Sequence, residues 1–147
     1  MPRILKHTDY AARVVLYLAG LGADAQVPIS EIAKQLMMPG PFVRRVVAKL
    51  ALEGILRTTR GSKGGVSLAR PPSKISLLDI IQAMEGGIVL SACVTKPDDC
   101  PFSDKCPVRQ TWRDITNGFE KSLKSVTFDS LSKSKPLAKI SRIRKER

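Results

Sequence analysis

Apolar residues recur at helical spacing from the start of the chain. Tyr10, Val14, Tyr17, Leu18 and Leu21 share one face of a first predicted helix, with Thr8 as its cap, Asp9 at its positive end, and Gly20 and Gly22 closing it. Ser30 is the predicted cap of a short second helix, with Glu31 in its first turn, Ile32, Ala33 and Leu36 on one side, and Ile29 placed as a hydrophobic staple. Met37-Met38-Pro39-Gly40 interrupts the pattern. Pro41 then suits the first position of a third helix, whose apolar stripe is Phe42, Val43, Val46, Val47 and Leu50 and whose outer face carries Arg44, Arg45 and Lys49. Two short helices joined by a tight turn, the second basic on its outer face, match a helix-turn-helix.

Past Gly54 the period shortens. Two strand-like runs, 55–59 and 66–69, flank Arg60-Gly61-Ser62-Lys63-Gly64-Gly65, which predicts a β-hairpin with Arg60 and Lys63 at its tip. A basic hairpin directly after a helix-turn-helix is a wing. These glycines form neither a dinucleotide fingerprint nor a phosphate-binding loop. Ser76 opens a fourth helix with Asp79 as its capping-box acid and Leu77, Ile80, Ile81 and Met84 facing the core, and Gly86-Gly87 ends it. Residues 91–107 read as a loop, and one of about 15 residues is usually functional or disordered. Val108, Trp112, Ile115, Phe119 and Val126 then form a narrow seam, interrupted at Ser122 with Leu123 beside it, that suits packing against a partner helix. Asn117-Gly118 within it costs about 1 kcal/mol of helix propensity, so tertiary support is needed, and Trp112 is expected in a core or an interface.

The expected fold class is mainly α with a small β-hairpin. Residues 1–75 form a winged helix-turn-helix, 76–107 a linking helix and loop, 108–130 a long dimerisation helix, and 131–147 a basic tail. A chain of 147 residues with 43% apolar residues supports one domain plus an appendage. It has no apolar run of about 20 residues and no signal-peptide pattern at its start, so a soluble cytoplasmic protein with no membrane partner is expected.

Charge sharpens the picture because it is uneven. The net +12 divides into 12 Lys/Arg against 4 Asp/Glu in residues 1–75, 6 against 8 in 76–132, and 7 against 1 in 133–147. The basic front half is suited to a polyanion, where phosphate contacts release counterions; with the wing, double-stranded DNA is the expected partner. Candidate DNA contacts are Phe42, Arg44, Arg45 and Lys49 on the third helix and Arg60 and Lys63 on the wing. Arg44 or Arg45 could read guanine edges, while the wing grips phosphates or the minor groove. The tail is expected to be disordered, and either adds nonspecific DNA affinity or does nothing.

All three cysteines, Cys93, Cys100 and Cys106, lie within 14 positions. Their odd number and clustering argue against a disulfide framework. Thiolates are soft ligands, and structural zinc sites usually need two of them two to four residues apart. The spacing Cys-x6-Cys-x5-Cys favours a larger object, an iron–sulfur cluster; zinc, metal-free redox thiols and inert cysteines stay open. Three cysteines leave a cluster one ligand short. A Cys-nucleophile enzyme would need a nearby base, and His7 is the lone histidine, so no enzyme is expected.

Together these elements resemble the iron–sulfur-dependent, Rrf-type winged-helix repressors typified by IscR (cluster biogenesis) and NsrR (nitric-oxide response). The likeness spans roughly residues 3–130 and is carried by Thr8-Asp9-Tyr10-Ala11-Ala12-Arg13, by Arg60-Gly61-Ser62-Lys63-Gly64-Gly65-Val66, and by the cysteine trio. It implies a homodimer with crossing long helices and a cluster of two or four irons per subunit. It also implies a transcriptional repressor sensing nitric oxide, redox or iron status, the alternative being a cluster-free thiol-switch repressor. In the nitric-oxide branch an aspartate from the other subunit completes the cluster, and Asp9 occupies that position, with His7 as a rival. The cluster-biogenesis branch has a histidine three residues after the third cysteine; here that residue is Arg109, which as a cation cannot ligate a metal.

Overall fold

A computed structural model describes residues 3–134. Helix α1 spans Lys6–Leu21, α2 Ile29–Leu36 and α3 Gly40–Leu52, followed by strands β1 Leu56–Thr59 and β2 Gly65–Leu68. Helix α4 covers Leu77–Glu85, the single turn α5 Ala92–Thr95, α6 Pro107–Ser125 and α7 Phe128–Ser134. The architecture is mainly helical with one antiparallel hairpin, paired Leu56 to Leu68 through Thr59 to Gly65, as the pattern predicts.

One core joins these elements. Val14 and Leu18 of α1, Ile32 of α2, Val43, Val47 and Leu50 of α3, Ile55 and Val66 of the hairpin, Ile80 of α4 and Phe128 of α7 are each at most 2% exposed. Val27, ahead of α2, exchanges both backbone hydrogen bonds with Val66, at 2.9 and 2.7 Å, and so seats the wing on the helices. Tyr17 is buried on α1 and keeps its proton above the ordinary phenol range, chiefly through burial and secondarily through the Glu31 carboxylate. Burial thus leaves stability untouched below the usual phenol pKa and lowers it as pH rises above that value, because the phenolate is disfavoured inside the fold.

Several helix ends differ from expectation. Helix α1 starts earlier than a Thr8 cap requires, with Leu5 at the N-cap and Thr8 buried inside the helix. The Thr8 hydroxyl and the Leu5 N–H (3.1 Å) both donate to one carboxylate oxygen of Glu85, so an acid at the end of α4 caps α1. Helix α2 begins after Pro28, and Ser30 makes no cap bond; Ile29 is its first residue rather than a staple. Ser76 does cap α4, and the predicted box with Asp79 forms: the Ser76 N–H donates to Asp79 at 2.7 Å and the Asp79 N–H to Ser76 Oγ at 3.3 Å.

The turn between α2 and α3 is made by Met37, whose φ of 53° is left-handed, with its side chain 67% exposed. An L-residue there costs about 1–2 kcal/mol, partly offset in glycine by its greater unfolded-state entropy. Met37→Gly is therefore expected to stabilise the fold by about 0.5–1 kcal/mol in urea denaturation; a loss of stability would contradict this account.

The predicted helix over 108–130 is two helices. Helix α6 ends at Ser125; Leu77 N–H then donates to the Val126 carbonyl at 3.0 Å and Phe128 N–H to the Ile75 carbonyl at 2.9 Å. This short pairing turns the chain back, and α7 packs on α1. Residues 131–134, assigned above to the tail, belong to α7, where Leu131 packs against the core and Lys133 pairs with Asp129 at 2.8 Å. The rest of the basic tail, 135–147, lies outside the described residues.

Candidate nucleic-acid interface and cysteine loop

Burial of Val43, Val46, Val47 and Leu50 fixes the rotation of α3 and leaves Arg44 and Arg45 exposed on its outer face. A groove of about 930 Å³ separates α3 from the hairpin, with Arg44 on one bank and Arg60 on the other; Lys63 is exposed at the hairpin tip. Arg57 on β1 is also exposed, a wing cation the sequence reading did not single out. Two glycines allow the hairpin to sit so close. A Cβ at Gly64 would come within 2.1 Å of the Thr59 carbonyl oxygen, and one at Gly65 within 2.7–3.0 Å of the Val27 backbone.

Phe42 is half-buried and meets Tyr10 edge-on, with ring centroids 5.0 Å apart. The Arg45 guanidinium lies 5.5 Å from the Phe42 ring, and Lys6 and Arg13 lie 5.4 and 5.6 Å from that of Tyr10. Cations of α1 thus continue the basic face of α3, held by an aromatic pair. Tyr10 has the spacing of a core residue, which concealed this role. The Lys49 Nζ donates to the Met84 carbonyl at 2.9 Å, near the end of α4. Unpaired carbonyls and the negative end of a helix attract a cation, so Lys49, exposed on α3 like Arg44 and Arg45, also ties α3 to α4.

The segment between α4 and α6, predicted as a structureless loop, consists of single turns: α5 around Cys93, then 3₁₀ turns at Pro97–Asp99 and Ser103–Lys105. All three cysteines are free and partly buried. The Cys93 sulfur lies 3.1 Å from Ser91 Oγ, and Cys106 is the N-cap residue of α6. The donor set, three soft thiols unspent in disulfides, fits a cluster in chemical kind. It does not make a mononuclear site: among the described residues no three His, Cys, Asp or Glu side chains are gathered as one ion requires. Arg109 donates from Nε to the Cys93 carbonyl at 3.0 Å and from Nη1 to the Ser103 carbonyl at 2.9 Å.

Asp9 is half-exposed and pairs with Arg13 at 2.6 Å. With the partly buried His7 it lines a groove of about 760 Å³, together with Ile80 and Ile81 of α4 and Leu123 of α6. On α6, Val108, Trp112, Ile115 and Phe119 are between 39% and 60% exposed, so the apolar seam is not covered by the described residues, and Trp112 is not in the core they form.

This arrangement can be compared with known proteins. Residues 4–134 match the family described as Rrf2, iron-dependent transcriptional regulator. The chain belongs to the Rrf2 family. Among relatives, protein aau3 of Rhizobium meliloti (strain 1021) is 33% identical over 135 residues, 91% of this chain and 87% of that protein. The HTH-type transcriptional regulator NsrR of Oceanobacillus iheyensis is 33% identical over 130 residues, 87% of this chain and 88% of that protein. Among solved structures, CymR (YrzC), the global cysteine regulator of B. subtilis, superposes with a TM-score of 0.74 at 22% identity, covering 92% of this chain and 99% of that one; this likeness bears on the fold. T. potens IscR superposes with a TM-score of 0.68 at 25% identity, covering 91% and 89%. As an Rrf2 protein the chain is a DNA-binding transcriptional regulator with a winged-helix fold, and not an enzyme. No helix among the described residues is long and apolar enough to cross a membrane.

Proposed function

We propose that this Rrf2 protein is a homodimeric, cytoplasmic repressor of double-stranded operator DNA. In this reading its affinity is set by an iron–sulfur cluster on Cys93, Cys100 and Cys106, with Asp9 of a second copy as fourth ligand. The observation that carries the reading is the position of three free thiols on the one connection between α4, which packs on the DNA-binding core, and α6, which presents the exposed seam. The family's description as iron-dependent supports it. When bound, the cluster supplies a link among the sulfurs that reacts with oxidants and nitric oxide.

The chain's own residues do the rest. Burial of Val108, Trp112, Ile115 and Phe119 against a second α6 fixes the spacing of the two α3 helices, which must meet half-sites about one helical turn apart. Arg44 and Arg45 face base edges, with Phe42 holding Arg45; Arg60 and Lys63 hold phosphates. Lys49 also couples α3 to α4. A change in the loop's shape alters the angle of α6 to α4, and so the fit of both halves to the duplex. A second reading, a thiol switch without a cluster, is favoured by the absence of any gathered three-ligand group among the described residues.

One experiment separates them. Anaerobically prepared protein is expected to contain iron and sulfide and absorb in the visible, and Cys93→Ala to lose both. Operator affinity of the wild type is expected to change about tenfold or more on exposure to nitric oxide or peroxide, within the usual range of coupling energies. The variant should show no such change. Colourless, iron-free wild type with oxidant-dependent affinity supports the thiol switch; affinity independent of every treatment refutes both.

A further inference from the structure

Cys93 and Ser103 have the same local problem. Each lies in a turn of only three or four residues, which leaves carbonyls with no donor inside the turn: Lys96, at φ −128° and ψ 73°, carries the chain out of α5, and Ser103 opens a 3₁₀ turn. In the α5 turn, Lys96 N–H bonds to the Ala92 carbonyl, and in the 3₁₀ turn Lys105 N–H bonds to the Phe102 carbonyl. The carbonyls of Cys93 and Ser103 therefore need donors from outside their turns, and both receive one from Arg109, at 3.0 and 2.9 Å.

The position of Arg109 is otherwise unfavourable. It is the third residue of α6, where the positive end of the helix disfavours a cation. The planar guanidinium offers several donors in a fixed fork, so one side chain serves two carbonyls ten residues apart in sequence.

We infer that Arg109 is the positioning residue of the cysteine loop: it donates to the carbonyls of Cys93 and Ser103 and so holds both turns against the first turn of α6, next to Cys106. This hold is built from protein groups alone and precedes any cofactor. The inference depends on the cluster reading only for what the loop receives; the hold is tested without it.

The test uses reduced, metal-free full-length protein. Alkylation of each cysteine by iodoacetamide, followed by mass spectrometry, is expected to be about tenfold faster at Cys93 in Arg109→Ala than in the wild type, the scale of a lost charged hydrogen bond. Hydrogen exchange is expected to show lost protection confined to residues 92–106, with the circular dichroism of the fold retained. Arg109→Lys should fall short of the wild type, because an ammonium lacks the fork. The control is Arg113→Ala, which removes a cation one turn further along α6 and should leave the Cys93 rate at the wild-type value. Equal rates in wild type and Arg109→Ala, or an equal rise in Arg113→Ala, would overturn the inference. Failure of wild-type protein to take up iron and sulfide would refute the cluster reading and leave the alkylation result to decide the role of Arg109.

Discussion

Phe128→Ala is expected to lower the stability of the folded chain by about 3–5 kcal/mol, the range for truncating a fully buried aromatic side chain. For a chain of this length that corresponds to a fall of roughly 10 °C or more in the thermal midpoint. Phe128 is 1% exposed and is among the largest fully buried side chains. It opens α7, the last described element, which packs on α1, the first. Its backbone N–H is already committed to the Ile75 carbonyl, so the ring cannot follow the cavity inward without breaking the short pairing between 75–77 and 126–128. The loss should therefore be near-complete cavity cost. Differential scanning calorimetry checks it, and a midpoint shift of only a degree or two would mean that α7 is an ornament on a core complete without it.

The misreading of this region has a physical cause. Val126 continues the spacing of Val108, Trp112, Ile115 and Phe119, and periodicity alone cannot show that a helix stops where its backbone finds another partner. The break is made by long-range hydrogen bonds from Ile75 and Leu77, which leave no local mark. The same reasoning covers α1. Thr8 has the right chemistry for a cap, but an acid 77 residues away does that work and draws Thr8 into the core. Where the signal was local it was legible: the Ser76–Asp79 box, Pro41 at the start of α3, and the two strand-like runs around a Gly-rich turn that form the hairpin.

The candidate site divides in the same way. Exposure of Arg44 and Arg45 follows from the stripe of Val43, Val46, Val47 and Leu50 and could be read from spacing alone. Lys49 shares their helix but lies one turn on, where α4 approaches, and no pattern within α3 reveals a carbonyl on another helix. Arg109 was legible as the wrong residue for a ligand. Its use, donating to the carbonyls of Cys93 and Ser103, depends on how the turns fold back on α6 and leaves no mark in the spacing.

The second large effect concerns the wing. Gly64→Ala and Gly65→Ala are each expected to weaken operator binding by about tenfold to a hundredfold and to destabilise the fold by about 1–3 kcal/mol, as overpacking does. The new Cβ at 64 would lie 2.1 Å from the Thr59 carbonyl oxygen, and that at 65 within 2.8 Å of the Val27 carbonyl oxygen. In both cases the obstacle is backbone, which cannot step aside as a side-chain tip can. The hairpin must open, or leave Val27, and either movement carries Arg60 away from the groove it flanks with Arg44 and displaces Lys63 at the hairpin tip. Loss of two phosphate contacts reduces the slope of log affinity against log salt by about 2. Arg60→Ala with Lys63→Ala should reduce the slope by the same amount with stability unchanged, because both side chains are exposed. Fluorescence anisotropy across a salt series, paired with urea denaturation, distinguishes the two: the glycine variants should move both quantities and the charge variant only the slope. If the glycine variants lose stability but bind with an unaltered slope, the hairpin serves the fold alone, and contact with the duplex lies entirely on α3 and the cations of α1.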